Sequence, residues 1–473
     1  MDALVRLQRE RLNGWALLAL CIAVGIAGGA LAAFVKLPIA FALIVALIGG
    51  LLMLQSTQLD LYALIGVVTL LPFAAIPLGI GFNPTLLDLT LLALFGVWLA
   101  RLSTRSQERL VASPLALPIL AFIILAFFSF VFGLGHASLT KETLRHFVEV
   151  ILSISLFFVV INVVQDRRQL EGAVKALILA GFAAALIGVI LYFLPQALTV
   201  RLLSALRVLH YPAGPEVLRF IEDNPELPQR ATSTSIDPNV LGGLLILVTS
   251  LTAPQFLSER PLFRRGWVAP MLVVMGICMI LTFSRGAFAG LAVALIFIGL
   301  LRYRRMVLLL LIALLLILVL PQTQWYVQHF IRGLRGEDLA TKMRFGEYQD
   351  ALTLIARYPW FGVGFSAPPD IDLYIGVSSV YLLMAEYMGL VGLGVFLATM
   401  AFFFLQAWLA WRRMRDERLS SILLGLMAGL VGAMAAGLFD HYFFNLDFPH
   451  SVALFWLYVA LAMVAVRLGE TAS

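Results

Sequence analysis

The sequence predicts an all-α polytopic integral membrane protein, with about fourteen transmembrane helices and two long extracytoplasmic loops that contain short helices. Three observations carry this expectation. Of the 473 residues, 62% are hydrophobic and only 13% are charged, against about 25% charged in an average soluble domain. Mean hydropathy is +0.98. Apolar runs of about twenty residues recur from end to end, each long enough to cross roughly 30 Å of hydrocarbon. The runs are continuous, which excludes a β-barrel built from short alternating segments.

Taken in order, the apolar segments fall at 15–35, 37–54, 61–80, 86–100, 115–134, 147–164, 173–194, 238–256, 267–284, 286–301, 306–321, 378–405, 419–439 and 450–467. Arg6, Arg9 and Arg11 precede the first run as in a signal peptide, but similar spans follow throughout, so an uncleaved first helix is expected. With the N-terminus inside, the basic turns RLSTRSQER (101–109), QDRR (165–168), SERPLFRR (258–265), RYRR (302–305) and WRRMRDER (411–418) all fall on the cytoplasmic side. Both termini are then cytoplasmic. These turns also account for the net charge of +6, so the basic balance does not indicate nucleic acid. Cys21 and Cys278 both lie inside apolar spans and read as small core residues, not a disulfide framework.

Two outer connections stand apart by length, 195–237 and 322–377, within what reads as one membrane domain spanning 1–473. Loops this long are functional or disordered. Trp325, Tyr326, Tyr348, Tyr358, Trp360 and Phe361 argue against disorder. TQWYVQHFIRGLR (323–335) reads as a short interfacial helix. TKMRFGEYQDALTLIARYP (341–359) reads as a second helix, ended by Pro359 and followed by the glycine-containing turn WFGVGF (360–365).

The candidate site residues lie on the outer side. Arg285 stands in the hairpin turn SRG, where Ser284 can cap the following helix and Gly286 permits the reversal. A helix beginning there directs free N–H groups toward the guanidinium, a suitable place for a phosphate. A snorkelling arginine would look the same. Arg230 lies in LPQRATSTSIDPNVLGGLL (227–245), where Asp237 or Asn239 would suit a helix cap. Arg344 stands three residues before Glu347, the spacing of a plain ion pair on one helix face. DHYFFNLDFPH (440–450) places Asp440, His441, Asp447 and His450 in the last outer turn, where they could line a sugar site or form an aromatic belt. Asp370 and Asp372 come nearest to a paired-carboxylate metal motif and are unpersuasive as one. No nucleotide, metal or other cofactor motif is present.

The succession RATSTSIDPNVLGG, LTFSRGAF, RFGEYQDALTLIARYPWFGVGF and VYLLMAEYMGLVGLGVF resembles the O-antigen ligase and O-antigen polymerase superfamily in order and spacing. The resemblance covers about residues 225–405. It implies an inverting membrane glycosyltransferase at the outer face of the bacterial inner membrane, needing no metal. The donor would be an undecaprenyl-diphosphate-linked oligosaccharide, and the acceptor a second glycan or a lipid A core. The partners would be the bilayer, these two substrates and other polysaccharide-assembly proteins. Arginines hold the diphosphate in the family, which carries over to Arg230 and Arg344 as catalytic residues with Arg285 beside them. Glu347 joins the catalytic set, while Ser284, Asn239, Tyr381, Glu386 and His441 are expected to contact diphosphate or glycan. Ligases of the family carry a histidine where this chain has Ser378 and Ser379. A serine hydroxyl is a poor base at neutral pH, so the departure favours a polymerase; Glu347, Glu386 and His441 are alternative bases. A glycan flippase and an inactive relative in an assembly complex are the competing readings. Transporters place functional charges near the bilayer midplane, whereas here most charges map to helix ends.

Overall fold

In the computed structural model, the described residues are 56–76, 83–103, 110–135, 138–319, parts of 324–336, 339–366 and 376–471. The chain divides into two compact units, Met1–Asp60 and Leu61–Ser473, and the candidate site lies wholly in the second. The expected spans 15–35 and 37–54 lie outside the described residues, as do Asp370, Asp372, Trp325 and Tyr326.

The fold is all-α. In chain order the helices are α1 (Thr57–Leu70), α2 (Leu86–Ser103), α3 (Ala116–Gly133), α4 (Lys141–Val163), α5 (Arg167–Phe193), α6 (Gln196–Ser204), α7 (Pro238–Leu257), α8 (Arg265–Thr282), α9 (Arg285–Leu301), α10 (Arg304–Val319), α11 (Leu339–Arg357), α12 (Val380–Arg413), α13 (Glu417–Ala436) and α14 (Pro449–Thr471). Nine of those described are long and apolar enough to cross a membrane. The expected segment 61–80 becomes the shorter α1, which stops before Pro72 because proline cannot continue the ladder.

Three of these helices form the frame of the site. α7, α9 and α13 pack against one another through small residues. A Cβ added to Gly242 would lie 2.6 Å from Ala287 Cβ, and one on Gly290 would lie 2.6 Å from the Gly432 carbonyl oxygen. In lipid no hydrophobic effect drives helices together, so close backbone approach through small residues supplies the attraction. As a consequence the start of α7, the start of α9 and the end of α13 come together at one end of the bundle.

α12 is one continuous apolar run in sequence but is broken in space. Gly389 has φ 67° and ψ −176°, a conformation open essentially to glycine alone. The segment 359–364 fills the break. Val363 N–H donates to Glu386 O at 2.8 Å and Gly364 N–H to Tyr387 O at 3.0 Å. In return Leu390 N–H donates to Pro359 O at 2.7 Å and Val391 N–H to Trp360 O at 3.3 Å. The Ser129 hydroxyl of α3, with one hydrogen to share, lies within hydrogen-bond reach of Phe361 O at 3.1 Å and of Tyr387 O. An unsatisfied backbone group in hydrocarbon costs several kcal/mol, so these four reciprocal bonds are what permit the break. They also anchor the C-terminal end of α11, the helix that carries Arg344 and Glu347.

The first long connection runs through α6, three short 3₁₀ turns and a two-residue ladder, β1 (Arg219–Phe220) with β2 (Gln229–Arg230). The second contains α11, as expected from 341–359; most of the expected interfacial helix 323–335 lies outside the described residues.

Candidate active site

Arg230 is held on two sides. It pairs with Arg219 in the β1–β2 ladder, and the next residue, Ala231, donates its N–H to Leu281 O at 2.7 Å. Its Nε donates to Thr282 O and its Nη2 to Asn239 Oδ1, both at 2.8 Å. Burial lowers the pKa of the guanidinium, Asp237 and Asp440 raise it, and Arg344 lowers it again. Arg230 and Arg344 therefore lie within electrostatic reach of each other, with Asp237 and Asp440 nearby.

The chain between Arg230 and α7 is strained. Ile236 is β-branched yet has φ 60°, and Asp237 N–H turns back to Ser235 O at 2.5 Å, the tight three-residue turn that is rare for this reason. Ser233 also has positive φ, at 52°, and its hydroxyl donates to Ala184 O at 2.8 Å. The reversal delivers Asp237 to the end of α7, where its Oδ1 accepts from Asn239 N at 2.7 Å and Val240 N at 3.0 Å. Asp237 is thus the cap, and the Asn239 side chain is left to orient Arg230.

The turn before Arg285 differs from the sequence expectation in two respects. Ser284 occupies the N-cap position of α9 but makes no side-chain cap bond; the hydroxyl is buried beside Gly242. The reversal residue is Phe283, left-handed at φ 53°, not Gly286. Gly286 serves instead to admit Phe439, whose Cβ would stand 3.4 Å from an added Cβ. Arg285 itself reaches Thr341 Oγ1 of α11 at 3.5 Å, one turn before Arg344.

Arg344 and Glu347 do not form the expected ion pair. Arg344 Nη2 lies 3.9 Å from Asp440 Oδ2, with the two side chains 27% and 9% exposed. Glu347 Oε2 accepts from Ser378 N at 2.9 Å, and the next residue, Tyr348, donates to Ser378 O at 3.3 Å. Glu347 and Tyr348 together fix the strand-like approach to α12. Ser379 is buried and its hydroxyl donates to Gly437 O at 3.3 Å.

Asp440 is the residue whose part in this arrangement sequence reasoning missed. Burial pushes its carboxyl pKa above the ordinary value, while the Arg344 guanidinium pulls it back. Its Oδ1 accepts from His441 N at 2.9 Å. The carboxylate at the head of DHYFFNLDFPH, seven residues before Asp447, was the available signal. Its partner could not be named without the fold.

The remaining candidates are more dispersed. Tyr381 donates to Met434 O at 2.7 Å and so ties α12 to α13. Glu386 is buried at 1% exposure just before the break in α12, and neither of its carboxylate oxygens has a hydrogen-bond partner among the described residues. His441 neighbours Asp440 and is partly exposed. Among the described residues, no cluster of three or more His, Cys, Asp or Glu side chains could hold a metal ion. The structure therefore brings together Arg230, Asn239, Arg344 and Asp440, with Arg285 touching the helix that bears Arg344.

Residues 270–397 match the family model described as O-Antigen ligase. No curated protein matches the chain. The matched stretch runs from α8 into α12 and includes Arg285, Arg344, Glu347 and the helix break, while Arg230, Asp440 and His441 lie outside it. The chain is thus a multi-pass membrane protein with a stretch similar to the O-antigen ligase family, a match that supports the O-antigen ligase and O-antigen polymerase superfamily.

Proposed function

We propose that this protein is an inverting glycosyltransferase that moves an undecaprenyl-diphosphate-linked oligosaccharide onto a glycan acceptor at the outer face of the bacterial inner membrane. The observation that carries the reading is the pairing of Arg344 with Asp440 at 3.9 Å, with Arg230 within electrostatic reach of both, near the start of α7. The acceptor hydroxyl oxygen attacks the anomeric carbon, and the bond from that carbon to the diphosphate oxygen breaks with its electron pair. Charge grows on the leaving diphosphate, and preorganised guanidiniums bind that charge more tightly than the ground state. The hydroxyl proton leaves to a carboxylate. Asp440 stands beside Arg344 and has its pKa raised by burial, which suits a proton acceptor.

A polymerase is favoured over a ligase to a lipid A core. The family histidine is replaced by Ser378 and Ser379, and Ser379 is buried and engaged with Gly437. The test is a chromosomal deletion complemented by wild type, Arg230→Ala or Arg344→Ala, with surface glycan length analysed. Short or absent polymer from both variants at normal protein level is expected. Normal polymer from both would remove the catalytic assignment. A flippase would instead leave carrier-linked units on the cytoplasmic side in the deletion strain.

A further inference from the structure

We propose that His441 acts as a fixed Nε2–H donor to an oxygen of the carrier-linked glycan, and not as a proton acceptor; the proposal rests on the transferase reading above. The evidence is a relay within the last outer turn. Asp447 N–H donates to Asn445 Oδ1 at 2.7 Å. A backbone N–H can only donate, so this bond decides which end of the Asn445 amide is oxygen. Flipping the amide would set its NH₂ against that N–H, leaving two donors face to face. The NH₂ end therefore points the other way, where its Nδ2 meets His441 Nδ1. Asn445 is 7% exposed, so no bulk water relaxes the constraint.

An amide NH₂ also can only donate, which makes His441 Nδ1 the acceptor. In a neutral imidazole one nitrogen accepts and the other carries the hydrogen. The hydrogen of His441 is accordingly on Nε2. The main chain of His441 is itself fixed, through its N–H to Asp440 Oδ1 at 2.9 Å and Phe444 N–H to its carbonyl oxygen at 3.0 Å. The Phe448 ring lies alongside, its centroid 6.0 Å away. Among the described residues Nε2 has no hydrogen-bond partner, and the side chain is partly exposed. A donor of fixed tautomer beside Asp440 and an aromatic ring fits a neutral acceptor oxygen, a sugar hydroxyl or an acyl carbonyl. An imidazole in this state has no lone pair on Nε2 with which to take a proton.

The inference is tested on purified full-length protein in detergent with undecaprenyl-diphosphate-linked oligosaccharide as substrate. His441→Gln keeps a neutral N–H donor and is expected to stay within about threefold of wild type. His441→Ala is expected to lose about tenfold, the equivalent of one hydrogen bond. Asn445→Asp still accepts from Asp447 N–H but presents an acceptor to His441, moving the hydrogen to Nδ1; it too is expected to lose about tenfold. Loss in His441→Gln as deep as in His441→Ala, or unchanged activity in Asn445→Asp, overturns the inference. The ¹⁵N resonances of His441 in labelled protein give a readout independent of turnover, expected to show a protonated Nε2 and a bare Nδ1. The reverse tautomer there also overturns it. If wild type itself transfers nothing, the transferase reading fails, while the tautomer measurement still decides the histidine.

Discussion

Arg230 donates through Nε to the carbonyl oxygen of Thr282 at 2.8 Å. A residue of the first long connection is thereby joined to the last turn of α8, three residues before Arg285. The same guanidinium reaches Asn239 at the start of α7, so two donors are spent on positioning while the charge remains to act on a substrate.

Arg230→Lys is expected to lower the transfer rate by about 10²-fold or more at unchanged protein level. A single ammonium on a flexible stem lacks the planar fork that sets Nε on Thr282 O and Nη2 on Asn239 Oδ1. Asn239→Ala, which removes only the second support, should cost about tenfold or less. Initial rates on carrier-linked substrate check both, and a lysine variant with full activity would show that the fork geometry is irrelevant.

Gly389→Ala should destabilise the protein strongly. The positive φ alone costs about 1–3 kcal/mol in a residue with a Cβ, and that Cβ would lie 2.2 Å from the Trp360 carbonyl group. Gly394→Ala, five residues along the same helix with nothing within 4 Å of the added atom, should be tolerated. Thermal unfolding of the two variants in detergent compares them directly. Equal melting temperatures would mean that the segment 359–364 does not occupy the break.

The helices were legible in the sequence because about twenty apolar residues in a row admit few other structures in lipid. The break in α12 was not. VYLLMAEYMGLVGLGVF reads as uninterrupted helix, and only the distant segment 359–364 supplies the hydrogen bonds that make the interruption tolerable. The site was legible in its arginines but not in their partners. Local spacing suggested Arg344 with Glu347, whereas the fold gives Arg344 to Asp440 and Glu347 to the Ser378 backbone. Capping failed in a similar way. Ser284 has the residue type and place of a cap, but close contact with α7 buries it, and the turn is made by Phe283.

Asp440→Asn should abolish an acidic limb in the pH–rate profile. Burial raises the Asp440 pKa, so wild-type activity should fall on acidification at a pH above the ordinary Asp range, where the carboxylate takes up a proton. Stability runs the other way. A raised pKa disfavours the ionised folded form, so the Asp440 contribution is fully present below the unfolded-state pKa and is lost as pH rises through the folded-state value. Rate profiles of wild type and variant, with melting temperatures at the same pH values, check both. A limb unchanged in Asp440→Asn would assign the proton to another group.

The most direct measurement is release of undecaprenyl diphosphate from a carrier-linked oligosaccharide by the purified protein, with wild type, Arg230→Ala, Arg344→Ala and the double variant compared. Wild type should release the carrier and lengthen the glycan. Each single variant should fall by about 10²-fold or more, and the double variant by less than the product of the two, because both guanidiniums serve one diphosphate. Wild-type release rates in both single variants, with the proteins folded, would contradict the account.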